Sequence, residues 1–208
     1  MFYWQVTFLA FLCLVVSRHF CFLRGIIVKL TKKIAVLGMF SAIAFVLSAV
    51  GNLVPIRVAG FLNYDPKDAI IVMAGFALGP LATVIISVVV SFLEMAFIST
   101  TGIIGCLMNI LSSVAFALIP AIFYKIKRSF PSALLGLLVG CIVTTGSMLL
   151  WNYFVTPFYM QVPQEAVAQM LLPVFLPFNL GKSVANSVIV MLIYKPMVKA
   201  LRNISVLE

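Results

Sequence analysis

Apolar residues run in long blocks along this chain, with polar residues gathered in the short gaps between them; neither a strand period nor a half-buried helix period dominates. A bilayer core is about 30 Å thick and a spanning helix needs roughly 20 apolar residues. The blocks predict helices over residues 34–50, 69–78, 81–98, 103–124, 131–150 and 180–197, an all-α membrane protein with six transmembrane helices. Residues 28–208 form a single six-helix domain, preceded by an extra apolar segment over residues 1–27. In that segment Arg18 and Arg24 follow the apolar run, the reverse of the order in a signal peptide. It reads either as an additional anchoring helix or as upstream sequence that a different start codon would exclude.

The gaps carry the punctuation. Gly51 and Pro55 break the first helix, and Asp65 before Pro66 is a turn signal, with Asp65 or Asp68 suited to cap the helix that follows. Gly79-Pro80 separates the second and third helices, and Ser99 to Gly102 turn the chain into the fourth. Residues 155–179 are interrupted by Pro157, Pro163, Pro173 and Pro177 and predict a long external connection, holding a short amphipathic helix over 164–172 and suited to act as a lid. Within the helices, Glu94 either snorkels to water or faces a cavity, and Asn109 reads as an interhelical hydrogen bond. Ala35, Gly38, Ala42 and Ala49 share one face of the first helix, a small-residue stripe that serves either internal packing or docking on another membrane subunit.

Composition sharpens the class. With 64% hydrophobic and 9% charged residues and a mean hydropathy of +1.23, the 208-residue chain leaves no room for a soluble catalytic domain. The net charge of +9 does not point to nucleic acid, because the basic residues fall in clusters around Lys32-Lys33, Lys125 to Arg128 and Lys195 to Arg202. If helices alternate in direction these clusters share one side, which the positive-inside rule makes cytoplasmic, with both termini there. Cys13, Cys21, Cys106 and Cys141 show no metal-ligand spacing, and His19 is the sole histidine, so no metal site is expected.

The chemistry available is that of binding. Five acids and one histidine with no adjacent pairs do not suit an enzyme. Gly181-Lys182-Ser183 looks like the end of a phosphate-binding loop, but the glycine required five residues earlier is Leu176, which excludes ATP binding by this chain. What remains is a set of polar groups at one depth: Asn63, Tyr64, Asp65, Asn152, Asn179 and Lys182. Asn179 also suits a helix cap, whereas Lys182, in the first turn of a helix beginning at residue 180, would oppose the macrodipole. Several amides and one cation among aromatic and aliphatic neighbours fit a neutral, planar ligand with hydrogen-bonding edges.

At these residues the chain resembles the riboflavin-specific substrate-binding subunits (S components) of energy-coupling factor vitamin transporters. The likeness runs from about Lys32 to Arg202 and rests on Gly38-Met39-Phe40-Ser41-Ala42 and the residues to Leu47, Asn152-Tyr153-Phe154-Val155, and Pro177-Phe178-Asn179 with Lys182. The pattern does not require residues 1–27. The resemblance implies a bacterial cell-membrane protein that binds riboflavin from outside, with Asn152, Asn179 and Lys182 bonding the vitamin and Leu62, Asn63, Tyr64 and Asp65 in the segment that covers it. It further implies docking of Gly38 and Ala42 on a transmembrane coupling subunit that works with two ATP-hydrolysing subunits. Riboflavin is then the transported ligand, and no cofactor is expected. The alternatives are an S component for another vitamin, a self-sufficient secondary transporter, and a structural membrane protein whose polar residues are caps and belt residues.

Overall fold

The computed structural model describes residues 30–52, 57–58, 62–99 and 101–203, and the expected segment 1–27 lies outside them. Residues from Leu37 onward form one compact unit; of the other, which ends at Val36, only residues from Leu30 are described, as the opening turns of the first helix. The elements are α1 (Leu30–Asn52), two-residue strands β1 (Arg57–Val58) and β2 (Leu62–Asn63), α2 (Lys67–Leu78), α3 (Pro80–Phe97), α4 (Gly102–Ile126), α5 (Phe130–Met160), α6 (Gln164–Met170) and α7 (Leu176–Asn203). The strands pair antiparallel, Arg57 with Asn63 and Val58 with Leu62, and so shape the backbone of the α1–α2 connection.

Among the described residues, five segments are long and apolar enough to cross a membrane: Leu30–Asn52, Pro80–Phe97, Gly102–Ile126, Phe130–Met160 and Gln164–Lys199. The 12 residues of α2 rise only about 18 Å, so this helix does not meet the spanning length alone. It runs into α3 through Gly79, whose φ of 95° suits a residue without a Cβ, and Pro80, placed at the helix start where its missing N–H costs no internal bond.

The packing is that of a membrane protein. Leu81, Phe92, Leu138, Ile142 and Leu192 point outward and are more than half exposed, whereas Thr83, Ser87, Ser91 and Glu94 line the inward face of α3. Apolar residues outside and polar ones inside is the arrangement lipid favours. At one end of the bundle Phe76, Tyr124, Phe130 and Tyr194 form an aromatic cluster that joins α2, α4, α5 and α7, with Phe76 and Tyr124 centroids 4.6 Å apart.

Helices α4 and α5 approach each other closely through glycine. Gly136 and Gly140, four residues apart on α5, lie against Pro120 and Phe116 of α4, and a Cβ on Gly136 would stand 2.6 Å from the Pro120 Cα. Backbone cannot yield as a flexible side chain can, so Gly136→Ala should cost about 1–3 kcal/mol through overpacking. Thermal unfolding of the detergent-purified protein measures this; an unchanged Tm would mean that the helices separate freely.

The expected long connection over 155–179 is corrected. Helix α5 continues to Met160, where Gln161 closes it in the left-handed conformation, and after α6 a π-turn over Leu171–Phe175 leads directly into α7. The prolines do not break these helices because of where they sit. Pro157 removes one bond in the last turn of α5, Pro173 falls in the widened π-turn, and Pro177 follows directly on that turn, so each costs a single helical bond where the helix ends or already changes its pitch. Only the short helix expected over 164–172 is found near its predicted place, as α6.

Candidate functional site

At the end of the bundle opposite the Lys125–Arg128 turn, a cavity of about 210 Å³ opens between α1, α3, α4, α5 and α7. Its polar lining includes Ser48, Asn52, Asp65, Glu94, Asn109 and Lys182, and Met108, Met148 and Phe178 supply apolar surface. Beneath it lies an ionic network that contains three of the five acidic residues of the chain.

Lys67 opens α2 and is 1% exposed, yet it carries a full charge's worth of partners. Its Nζ donates to both carboxylate oxygens of Glu94, at 2.6 Å to Oε1, and lies 3.1 Å from Asp65 Oδ2. An ammonium this deep would be prohibitively costly alone; two carboxylates offset its desolvation. Asn109 Nδ2 also donates to Glu94 Oε2 at 3.0 Å, the expected interhelical bond, here between α3 and α4. Glu94 thus accepts from both Lys67 and Asn109, and of its two expected settings the cavity is the one found.

Asp65 does more than punctuate a turn. Its Oδ1 accepts the Lys67 backbone N–H at 2.9 Å, and its Oδ2 accepts from Ser48 Oγ of α1 at 3.0 Å. Burial pushes its carboxyl upward, but Lys67 and Lys182 together with these bonds outweigh it and hold the pKa below the usual carboxylate value. Asp68, by contrast, pairs across the bundle: its Oδ2 lies 3.1 Å from Lys182 Nζ, and its Oδ1 accepts from Ser113 Oγ of α4.

Lys182 also needs a different account from the one the sequence suggested. Helix α7 begins at Leu176, so Lys182 stands in its second turn, where the macrodipole has faded, and Asp68 supplies the counter-charge. Asn179 is no cap: its Nδ2 donates back to Phe175 O at 2.8 Å, and its carboxamide stays on the cavity wall. One turn beyond Lys182, Asn186 is 1% exposed and accepts from Tyr64 Oη at 3.0 Å while donating to Asp65 O at 3.3 Å. Burial, then the carboxylates of Asp68 and Asp65, push the Tyr64 phenol above its ordinary value, so it stays a donor.

Of the expected site residues, then, Asp65, Asn179 and Lys182 meet at the cavity. Tyr64 sits behind it on Asn186. Leu62 and Asn63 form β2, and their side chains lie outside the described residues. Asn152 is inside α5, buried, and bonded to Met148 O and Thr156 Oγ1; it is not among the residues that line the cavity, although Met148, one turn away, is. Gly38 and Ala42 lie on the exposed face of α1, and a Cβ on Gly38 would touch nothing within 4 Å. The sequence reading missed Lys67 and Asp68 as ion-pair partners and Ser48 and Asn186 as supports. The available signal was depth, since Asp65, Lys67, Asp68, Glu94 and Lys182 all fall at helix ends on one side of the alternating topology.

Comparison with known proteins agrees with this architecture. The family model described as "ECF transporter, substrate-specific component" matches residues 32–194. The chain is 30% identical to the riboflavin transporter RibU of Staphylococcus aureus (strain TCH60) over 187 residues, covering 87% of this chain and 98% of that one. It is 27% identical to the riboflavin transporter FmnP of Bacillus subtilis (strain 168) over 184 residues, 83% and 96% of the respective chains. A solved structure of the S component of a bacterial ECF transporter superposes with a TM-score of 0.67 at 30% identity, covering 82% of this chain and 98% of that one. With its membrane helices, inward polar faces and a family match across most of its length, this multi-pass membrane protein belongs to the substrate-specific components of ECF transporters.

Proposed function

We propose that this chain is the riboflavin-binding subunit of an energy-coupling factor transporter in a bacterial plasma membrane, with six membrane passes and both termini in the cytoplasm. The observation that carries this reading is the cavity, where the Asn179 carboxamide and the Lys182 ammonium stand beside Met108, Met148 and Phe178. Such a wall suits a flat aromatic ring whose edges exchange hydrogen bonds. The similarity to two riboflavin transporters over nearly their full length selects the ring. Lys182 has three donors and gives one direction to Asp68, which leaves the others for a ring carbonyl or nitrogen. The segment from Leu62 to Asp65 covers the ligand, and Asn152, bonded within α5 to Met148 O and Thr156 Oγ1, backs the wall at Met148.

The subunit captures and positions a vitamin and catalyses no reaction; the ring needs no cofactor, since riboflavin is the cargo. Energy comes from two ATPase subunits acting through a transmembrane coupling subunit, which docks on the small-residue face of α1 at Gly38 and Ala42. The exposure of that face supports docking over internal packing. Fluorescence titration tests the central claim: riboflavin emission should be quenched stoichiometrically at nanomolar protein, and a folded preparation that leaves it unquenched at micromolar protein would overturn the reading.

A further inference from the structure

We propose that the basic end of the bundle, where the α4–α5 turn meets the C-terminal part of α7, binds an anionic phospholipid, with the phosphate-bearing head on the lysines and an acyl chain along the outer side of α5. This surface lies at the end opposite the cavity and does not depend on what the cavity holds. Lys125, Lys127 and Arg128 are exposed at the turn, and Lys195 and Lys199, four residues apart and so on one face of α7, are exposed as well. Aromatic rings bring the two groups together. Tyr124 and Tyr194 directly precede Lys125 and Lys195 and have ring centroids 6.1 Å apart, while the Phe130 ring at the start of α5 lies 5.5 Å from that of Tyr194. No carboxylate answers these charges among the described residues: Asp65, Asp68 and Glu94 belong to the network at the cavity, and Glu165 opens α6 beyond the far end of α5.

The surface next to the lysines defines the other half of the occupant. Phe130, Leu134, Leu138 and Ile142 recur at four-residue spacing, which makes them one ridge along α5, and they are 42–70% exposed. The ridge begins at the basic end and rises about 18 Å, close to the depth of one leaflet of a bilayer about 30 Å thick. A soluble acidic protein or a free phosphate would meet the lysines and leave the ridge untouched. An anionic phospholipid meets both, its phosphodiester taking charge-assisted hydrogen bonds from the ammoniums and its chain lying on the ridge. Basic clusters beside transmembrane helices recognise anionic head groups in this way.

The test compares two lipids that differ only in the head. The purified full chain is placed in detergent micelles doped with dioleoylphosphatidylglycerol or dioleoylphosphatidylcholine, and thermal unfolding is followed. The anionic lipid should raise the Tm by at least about 3 °C over the zwitterionic one, and added salt should shrink the difference. Inorganic phosphate and glycerol 3-phosphate, heads without tails, should not reproduce the shift; if either does, the surface takes a simple anion and the proposal falls. Lys125→Gln with Lys195→Gln should cut the difference by about half while leaving the Tm in phosphatidylcholine unchanged. Lys32→Gln with Lys33→Gln removes the same charge near the start of α1 and should keep the full difference; an equal cut in both double variants overturns a local site in favour of a general charge effect. Equal Tm values for the wild type in the two lipids overturn the proposal outright. So does a Lys125→Gln, Lys195→Gln variant that keeps the full difference, which would leave those cations to a protein partner. If that variant does not fold, the wild-type comparison of lipids and soluble phosphates decides.

Discussion

Lys182→Met is expected to weaken riboflavin binding by about a hundredfold, the loss that follows removal of one charged hydrogen bond of ~1.5–3 kcal/mol. The single variant also strands Asp68, a carboxylate 2% exposed, without its counter-ion, so lowered stability will accompany the loss of affinity. The double variant Lys182→Met with Asp68→Asn separates the two effects. It removes both members of the pair, should recover most of the thermal stability, and should still bind poorly. Dissociation constants from fluorescence titration, paired with Tm values, make the comparison. A double variant that folds and binds riboflavin like the wild type would take Lys182 out of the site.

The second large effect concerns stability. Lys67→Met leaves Asp65 and Glu94 buried against each other with no cation between them, and breaking such a pair by removing one partner costs about 3–5 kcal/mol. For a chain of this size that corresponds to a Tm lower by on the order of 10 °C. The triple variant Lys67→Met, Asp65→Asn and Glu94→Gln should regain much of this, because a neutral network has no charge to desolvate. The pH dependence offers a second check. Asp65 has a depressed pKa in the folded protein, so its contribution is complete above the unfolded value of about 4 and is lost as pH falls through the folded value. Wild-type stability should therefore fall on acidification below about pH 4, and Lys67→Met should lose less over that window. Equal Tm values for wild type and Lys67→Met would show that the ion pair contributes nothing.

The parts of this fold that were legible in the sequence are those set by local hydrophobicity. Blocks 81–98 and 103–124 became α3 and α4 within a residue or two of their predicted ends, and Gly79-Pro80 divided α2 from α3 as expected. Helices α5 and α7 were misjudged because proline was read as a breaker without regard to its place in the helix, and Pro157 and Pro177 occupy turns that lose little by it. The same error set Lys182 in a first turn. The candidate site divides in a similar way. Asn179 and Lys182 stood out because polar groups are rare in apolar runs, but Lys67 lies next to Asp65-Pro66 in a polar stretch where nothing local marks it as buried. What buries it is Glu94, 27 positions away, and no local pattern encodes that meeting. Asp68 was given a capping role for the same reason, while its partner lay in the last helix.

Asn186 bears on how quickly the site can work. By holding the Tyr64 phenol and the Asp65 carbonyl at once, it fixes the end of the α1–α2 connection against α7. Ser48 fixes the same aspartate to α1. The loss of chain entropy in this stretch is therefore met when the protein folds rather than when a ligand arrives. Asp65 therefore stands ready-made on the cavity wall, and encounter with the vitamin requires little ordering there, a condition that favours fast capture.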